Sequence, residues 1–457
     1  MKSSWQLSFL LAGRAAMAQA VIQSSVQHFE SRESGPFLPF ITFGFGTPAQ
    51  DISGIFDTGS SDVIVPEAGS PVCELKRQQC TAPAPVVRGQ FDPKAASDFK
   101  PLDGQSFNAT FGGGDQYDGN YMKTTVTLGD NGDGLVPNAQ IALATNSKAR
   151  SRSPQVPVFG LGLQPLEATN KKYDTLPKST QKAGNITNQA YSFVASPVPF
   201  ANGSAFFGGI DRSKFKGELM EVPLEKDNSG EFSRFVVKMS SVTMVLGAQG
   251  KASGSRQQQR ERQRQKRAPW NRVIKPGGTS RTKGLYGRAE GEEGGNSGNE
   301  IDLGLDPRDG FTLMDSGGVA IALPPPVLSR MAQALGTTFS QEGLGPVDCD
   351  RLSGGAALVM RFNDDAVETR VPLDNMRISE ALADPALTKQ GLCELGVRPV
   401  EQGGTSVATL PFFAAVYTVF DLSNKRLFFA QADGDPGAPG GQLEVFPKAS
   451  RGKGKGN

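Results

Sequence analysis

Phe56-Asp57-Thr58-Gly59-Ser60 continues through Asp62-Val63-Ile64-Val65 to Pro66, and the same order returns in the far half of the chain. There Met314-Asp315-Ser316-Gly317-Gly318 continues through Ala320-Ile321-Ala322-Leu323 to Pro324. In each copy an apolar residue precedes an Asp, a hydroxyl residue and a Gly follow, and a Pro stands nine positions after the Asp. One copy alone signals a turn, because Asp and Ser bond nearby backbone and Gly supplies positive φ. Two copies, each in an apolar strand context, predict two related lobes. An Asp at the end of an apolar strand is costly to bury ionised and unpaired. Two of them facing each other share one proton, since repulsion between close like charges raises one pKa. One carboxylate is then a base and the other an acid, and a water between them can attack an amide carbonyl without histidine or metal. Thr58 and Ser316 are placed to hydrogen-bond across the lobes. Ser60 completes the first loop, and Gly59 and Gly317 let the backbones approach.

The composition around these motifs narrows the fold. With 457 residues, two domains or more are expected. Gly (55) and Pro (31) exceed ordinary usage, while 28 Phe and frequent β-branched runs supply strands rather than a helical bundle. The expected fold class is all-β (mainly β), and the repeat adds two related lobes. The chain has a single histidine, His28, read as a surface residue ahead of the first strand. That excludes Ser-His-Asp, Cys-His and zinc hydrolase chemistry, which need positioned imidazoles. Acids and bases are therefore carboxylates, and neither a metal nor a cofactor is expected. The net charge of +2 averages two regions: residues 251–288 carry 12 Lys/Arg against one acid, Glu261, which leaves the rest of the chain acidic. An acidic body gains nothing from phosphate backbones, so nucleic acid is not an expected partner.

Along the chain, residues 1–20 read as a signal peptide. Lys2, the apolar residues 5–13 and the small-residue pattern Ala18-Gln19-Ala20 carry that reading, with Arg14 interrupting it. Residues 21–36 are a short N-terminal segment or propeptide. The first lobe is assigned to 37–215, the start of the second to 216–246 and the rest of it to 300–435. Between them, 247–299 is a basic insert without periodic apolar residues, read as a disordered surface loop, Lys266-Arg267 included. Residues 436–457 are read as a flexible tail. Cys73, Cys80, Cys349 and Cys393 are even in number and lack CxxC spacing, which fits two disulfides in a secreted protein. Sequons at Asn108, Asn185 and Asn202 agree as glycosylation candidates. No apolar run is long enough to span a membrane. A secreted, vacuolar or cell-wall monomer is expected.

Further segments carry a family resemblance. Phe45-Gly46-Thr47-Pro48-Ala49-Gln50 precedes the first motif, and Val158-Phe159-Gly160-Leu161-Gly162 follows it. Phe207-Gly208-Gly209-Ile210-Asp211 with Phe215-Lys216-Gly217 lies mid-chain. Tyr417-Thr418-Val419-Phe420-Asp421, Asn424 and Ala430-Gln431-Ala432 close the chain's apolar region. In order and spacing the sequence resembles the pepsin-like (A1) aspartic endopeptidases of the secreted fungal type, over roughly residues 37–432 apart from the insert. The resemblance implies a bilobed acid protease fold with a central cleft, with Asp57 and Asp315 as the catalytic dyad. It also implies that the hairpin around Phe111, Gly112 and Gly113 is the flap over a peptide or protein substrate, and that Cys73 pairs with Cys80 and Cys349 with Cys393. Alternation in residues 107–111 and the following glycines independently suit a mobile hairpin.

Four positions depart from the family pattern. Phe111 stands where the flap carries Tyr, and Ile64 where a Trp follows the first motif. Gly318 replaces Thr or Ser, and Thr409 replaces Gly. Thr at position 318 is accordingly expected to restore a hydroxyl near Asp315 and raise activity. A long prosegment is also missing, with only about 15 residues between the cleavage pattern and the family-like region. The leading expectation is an acid endopeptidase that cuts extended peptides beside apolar residues. The alternative is a weak or inactive binding protein or inhibitor on the same fold. A glycosidase has the residue types but no supporting context.

Overall fold

The computed structural model of the protein describes residues 21–31, 35–74, 80, 89–112, 114–148, 157–197, 201–247, 300–379, 382–400 and 404–446. The signal-like residues 1–20, the basic insert from 248 to 299, Gly113 and the tail beyond 446 lie outside the described residues.

Apolar residues on consecutive positions make the strands of the first lobe two-faced. Phe40, Ile41 and Phe43 on the strand Gly35–Phe45 are all buried, and the Phe43 ring stacks on Phe159 at 5.0 Å. Each such ring withdrawn from water contributes about 2 kcal/mol. The strand Gln116–Leu128 instead alternates towards its end, burying Thr124, Val126 and Leu128. Strands dominate, and the fold is mainly β and bilobed, as the composition and the repeat predict.

The sequence repeat recurs as a topological repeat. In the first lobe the strand Gln50–Asp57 runs parallel to Val158–Gly160, which pairs antiparallel with Val63–Pro66. In the second lobe Phe311–Met314 runs parallel to Ser406–Ala408, which pairs antiparallel with Ile321–Leu323. Each motif therefore crosses from one strand to another over a third strand that lies between them. The lobes are joined by six strands in the order Phe215–Pro223, Arg426–Ala432, Val416–Asp421, Ala190–Val194, Asn202–Phe207 and Ile22–Ser31. At the centre of this platform Phe193 pairs with Thr418 and Tyr191 with Phe420. That pairing fixes one lobe relative to the other.

One amphipathic helix, Pro325–Leu335, follows the second motif. Val327, Leu328, Met331, Ala332 and Leu335 fall on one helical face and are buried. Pro325 suits the first turn, and Gly336 at φ 68° ends the helix in the left-handed region. Disulfides join Cys73 to Cys80 and Cys349 to Cys393, as the resemblance implies. The second closes the longer loop, 44 residues against 7, and constrains the unfolded chain more. Asn108 and Asn202 are exposed, whereas the Asn185 amide donates to the Leu135 carbonyl at 2.7 Å.

Within the short N-terminal segment 21–36, Ile22–Ser31 is a strand between Asn202–Phe207 and Gly35–Phe45. Two expectations need correction. Residues 436–446 are not a loose tail. Leu443–Val445 pairs with Gly209–Asp211, Phe446 is buried, and the Asp211 carboxylate accepts the N–H groups of Gly441 and Gln442. Lys214 adds bonds to the carbonyls of Asp435 and Ala438. Finally, His28 is not on the surface. Ile22, Ser24, Val26 and His28 alternate onto the buried face of their strand, and the Ser196 N–H donates to His28 Nε2 at 3.1 Å.

Burial holds His28 neutral down to about pH 3, against an ordinary value of 6.5. The unfolded chain takes up this proton near pH 6.5 and the folded one only near pH 3, so acid favours unfolding throughout that window. The slope approaches about 1.4 kcal/mol per pH unit from this one group. His28→Gln keeps an acceptor for Ser196 and should flatten the slope. Denaturant unfolding of both proteins from neutral pH to about pH 3.5 reads the difference, and parallel curves would acquit His28.

Candidate active site

Asp57 is the last residue of the strand Gln50–Asp57, and Asp315 directly follows Phe311–Met314. Each carboxylate is held by its own turn. The Gly59 N–H donates to Asp57 Oδ1 at 2.8 Å, and the Gly317 N–H to Asp315 Oδ1 at 2.9 Å. The hydroxyl residues then lock the two turns to each other. Thr58 N–H donates to Ser316 Oγ at 3.1 Å, and Ser316 N–H to Thr58 Oγ1 at 2.9 Å. Thr58 Oγ1–H donates to the Met314 carbonyl at 2.7 Å, and Ser316 Oγ–H to the Phe56 carbonyl at 2.5 Å. All four bonds are buried and cross between the lobes, so neither turn moves without the other.

That lock brings the carboxylates face to face. A Cβ on Gly59 would stand 2.6 Å from Asp315 Oδ1, and one on Gly317 would stand 2.7 Å from Asp57 Oδ1. Each motif's glycine thus lies against the other motif's carboxylate. Burial is the largest influence on both and raises both above the usual carboxylate range. Beyond burial they differ. Ser60 Oγ–H donates to Asp57 Oδ2 at 2.5 Å and, with the Gly59 N–H, favours the ionised form of Asp57. Asp315 is pushed up further by the Asp57 charge beside it. The bonds from Ser60 and Gly59 thus favour the charge on Asp57, and the Asp57 charge favours the proton on Asp315. Beneath them Phe56 stacks on Phe193 at 4.6 Å, and Tyr191 donates its hydroxyl to the Leu161 carbonyl.

The hairpin of Lys100–Thr110 and Gln116–Leu128 is present, with Thr110 opposite Gln116. Phe111 N–H donates to the Asp115 carbonyl, and the Phe111 ring meets Tyr117 edge-on at 6.0 Å. Phe111 is half-buried and Gly112 is exposed with open space around it.

A polar cluster beside the first motif went unread in the sequence. Asp62 is buried and accepts the hydroxyls of Tyr121 and Tyr173, both at 2.7 Å, and the Ala168 N–H. Glu167 is buried next to it and is pushed up to about 7, chiefly by burial. The available signal was a carboxylate set directly before the apolar run Val63–Pro66. The expectation for Gly318 also changes. A Cβ there would stand 2.7 Å from Thr409 Cγ2, so a Thr at 318 clashes rather than restoring a bond. Gly318 and Thr409 are two halves of one packing arrangement.

The sequence matches the family described as eukaryotic aspartyl protease over residues 40–256 and 308–432. The chain belongs to that family. A probable aspartic-type endopeptidase OPSB of Arthroderma benhamiae is 31% identical over 407 residues, 86% of this chain and 68% of that protein. Barrierpepsin of Saccharomyces cerevisiae is 24% identical over 417 residues, 86% of this chain and 60% of its own length. Secreted aspartic protease 4 of Candida albicans is 33% identical over 184 residues, 40% and 42% of the two chains. Family membership makes this protein an aspartic-type endopeptidase, a hydrolase whose substrates are peptides. Among the described residues no helix of the protease is long and apolar enough to cross a membrane.

Proposed function

We propose that this aspartyl protease hydrolyses peptide bonds in acid with Asp57 and Asp315 as its catalytic pair. The observation that carries the reading is the placement of each motif's glycine against the other motif's carboxylate, 2.6 and 2.7 Å from a would-be Cβ. Ionised Asp57 takes a proton from a water held between the carboxyls as its oxygen bonds to the peptide carbonyl carbon. Asp315 gives its proton to the carbonyl oxygen, so charge does not accumulate there. Collapse of the tetrahedral species returns that hydroxyl proton to Asp315. The proton held by Asp57 passes to the departing amine nitrogen. The pair starts and ends with one proton.

The substrate lies extended under the hairpin tipped by Phe111 and Gly112, bonded through its main chain and read by apolar pockets. Phe111 adds apolar contact but no hydroxyl, so the hairpin covers rather than polarises. Secretion is supported by the signal-like residues 1–20, the two disulfides and a relative named as secreted. The test is cleavage of a peptide library by the purified protease across acidic pH, with and without a transition-state-mimicking aspartic protease inhibitor. Inhibitor-sensitive cleavage is expected. Peptide binding without cleavage would favour a binding protein on this fold instead.

A further inference from the structure

The two halves of the site are copies of one topology, so each is a control for the other. In the first half the residue three after the Asp is Ser60, whose hydroxyl bonds Asp57 Oδ2 at 2.5 Å. The strand beneath it sets Gly160 opposite Asp57, where a Cβ would meet Ser61 N at 2.6 Å. A hydroxyl above thus goes with a glycine below. In the second half the residue three after the Asp is Gly318. The parallel register that pairs Met314 with Ala408 carries Asp315 to Thr409. Here a glycine above goes with a side chain below.

Thr409 is 1% exposed, and its Cγ2 lies 2.7 Å from the point where a Cβ on Gly318 would stand. The Leu410 N–H donates to the Gly318 carbonyl at 3.1 Å, which holds position 318 down onto Thr409. The Thr409 hydroxyl has no hydrogen-bond partner among the described residues, so hydrogen bonding does not explain its place. Its shape does.

We propose that Thr409 is a positioning residue for the dyad: by filling the space above which a hydroxyl residue would sit, it denies Asp315 the outer hydrogen bond that Ser60 gives Asp57. The inference rests on the catalytic reading above and adds what sets the two carboxyls apart. A hydrogen bond to a carboxylate favours its ionised form, so its absence keeps Asp315 protonated to higher pH. The charged groups that bear on Asp315 are Asp57, from the first motif, and Arg398, from the strand Val397–Pro399. Asp57 acts in the same direction. Arg398 opposes it, but is exposed and screened by solvent. The upper limb of the pH–rate profile therefore lies further towards neutrality than it would in a pair bonded symmetrically.

The experiment compares the unmodified protease with Gly318→Ser, Thr409→Gly and the double variant. It reads kcat/KM against pH, thermal unfolding, and the titration of the labelled Asp315 carboxyl by NMR. Gly318→Ser alone should lose activity and melting temperature, because its Cβ meets Thr409. The double variant should recover melting temperature relative to Gly318→Ser. Its upper limb and its Asp315 titration should both fall by about one pH unit, the shift expected of one carboxylate hydrogen bond. An unchanged limb and titration in the double variant overturn the inference, as does Gly318→Ser that is as stable as the double. If no variant cleaves peptide, the catalytic reading fails, and the titration alone still decides the role of Thr409.

Discussion

Asp57→Asn and Asp315→Asn should each lose peptide hydrolysis by about a thousandfold or more in kcat/KM. Asn keeps the size of the side chain but can neither take the water's proton nor return one to substrate, and His28, the chain's one histidine, is committed to the Ser196 N–H. The fold should survive. Both carboxyls are raised in the folded state, so the native pair keeps protons that the unfolded chain has already released above pH 3.8. Native stability from this pair is complete below that value and declines as pH rises through the folded pKa values. Each Asn variant should therefore match the parent in acid and equal or exceed it at neutral pH. Thermal unfolding beside the kinetic assay checks both halves. Hydrolysis that persists in both variants would remove the pair from the mechanism.

Gly59→Ala and Gly317→Ala should damage activity more than stability. The new methyl on either turn falls 2.6 to 2.7 Å from an oxygen of the opposite carboxylate, closer than real contacts allow. Four buried bonds through Thr58 and Ser316 prevent the turns from moving apart. The carboxylate must yield instead, and a displacement of about 1 Å costs about a hundredfold in rate. Overpacking of this kind adds a stability loss of about 1–3 kcal/mol. Steady-state kinetics with a melting curve separates the two. Full activity in both alanine variants would mean that the carboxylates do not face each other as described.

Those predictions rest on residues that were readable in the sequence, and the reason is locality. Asp57 with Gly59 and Asp315 with Gly317 are made by turns of three residues, so the motif encodes its own geometry. The repeat encodes the partner. The disulfide pairing comes from family resemblance instead, which transfers distant pairings that spacing alone leaves open, and the hairpin around Phe111 comes from resemblance and strand alternation together. What escaped depends on distant partners with no local signature. His28 is buried because residues 22–28 alternate onto a platform strand, yet a lone histidine ahead of the first family-like strand reads as a surface residue. Residues 443–446 are held by Gly209–Asp211 and Asn188, more than two hundred positions earlier. Asp62 is satisfied by Tyr121 and Tyr173, from elements that nothing in residues 56–66 points to. Gly318 and Thr409 each looked like a lost feature, and only their contact shows that each departure accommodates the other.

The most direct test of the central claim is the pH dependence of kcat/KM for one unstructured peptide, measured in the unmodified protease and in Asp57→Asn. Inhibitor-sensitive hydrolysis is expected in acid, declining as the pH rises and the pair loses its last proton, with only background in the variant at any pH. Hydrolysis that keeps rising through neutral pH, or that survives in Asp57→Asn, would contradict that claim.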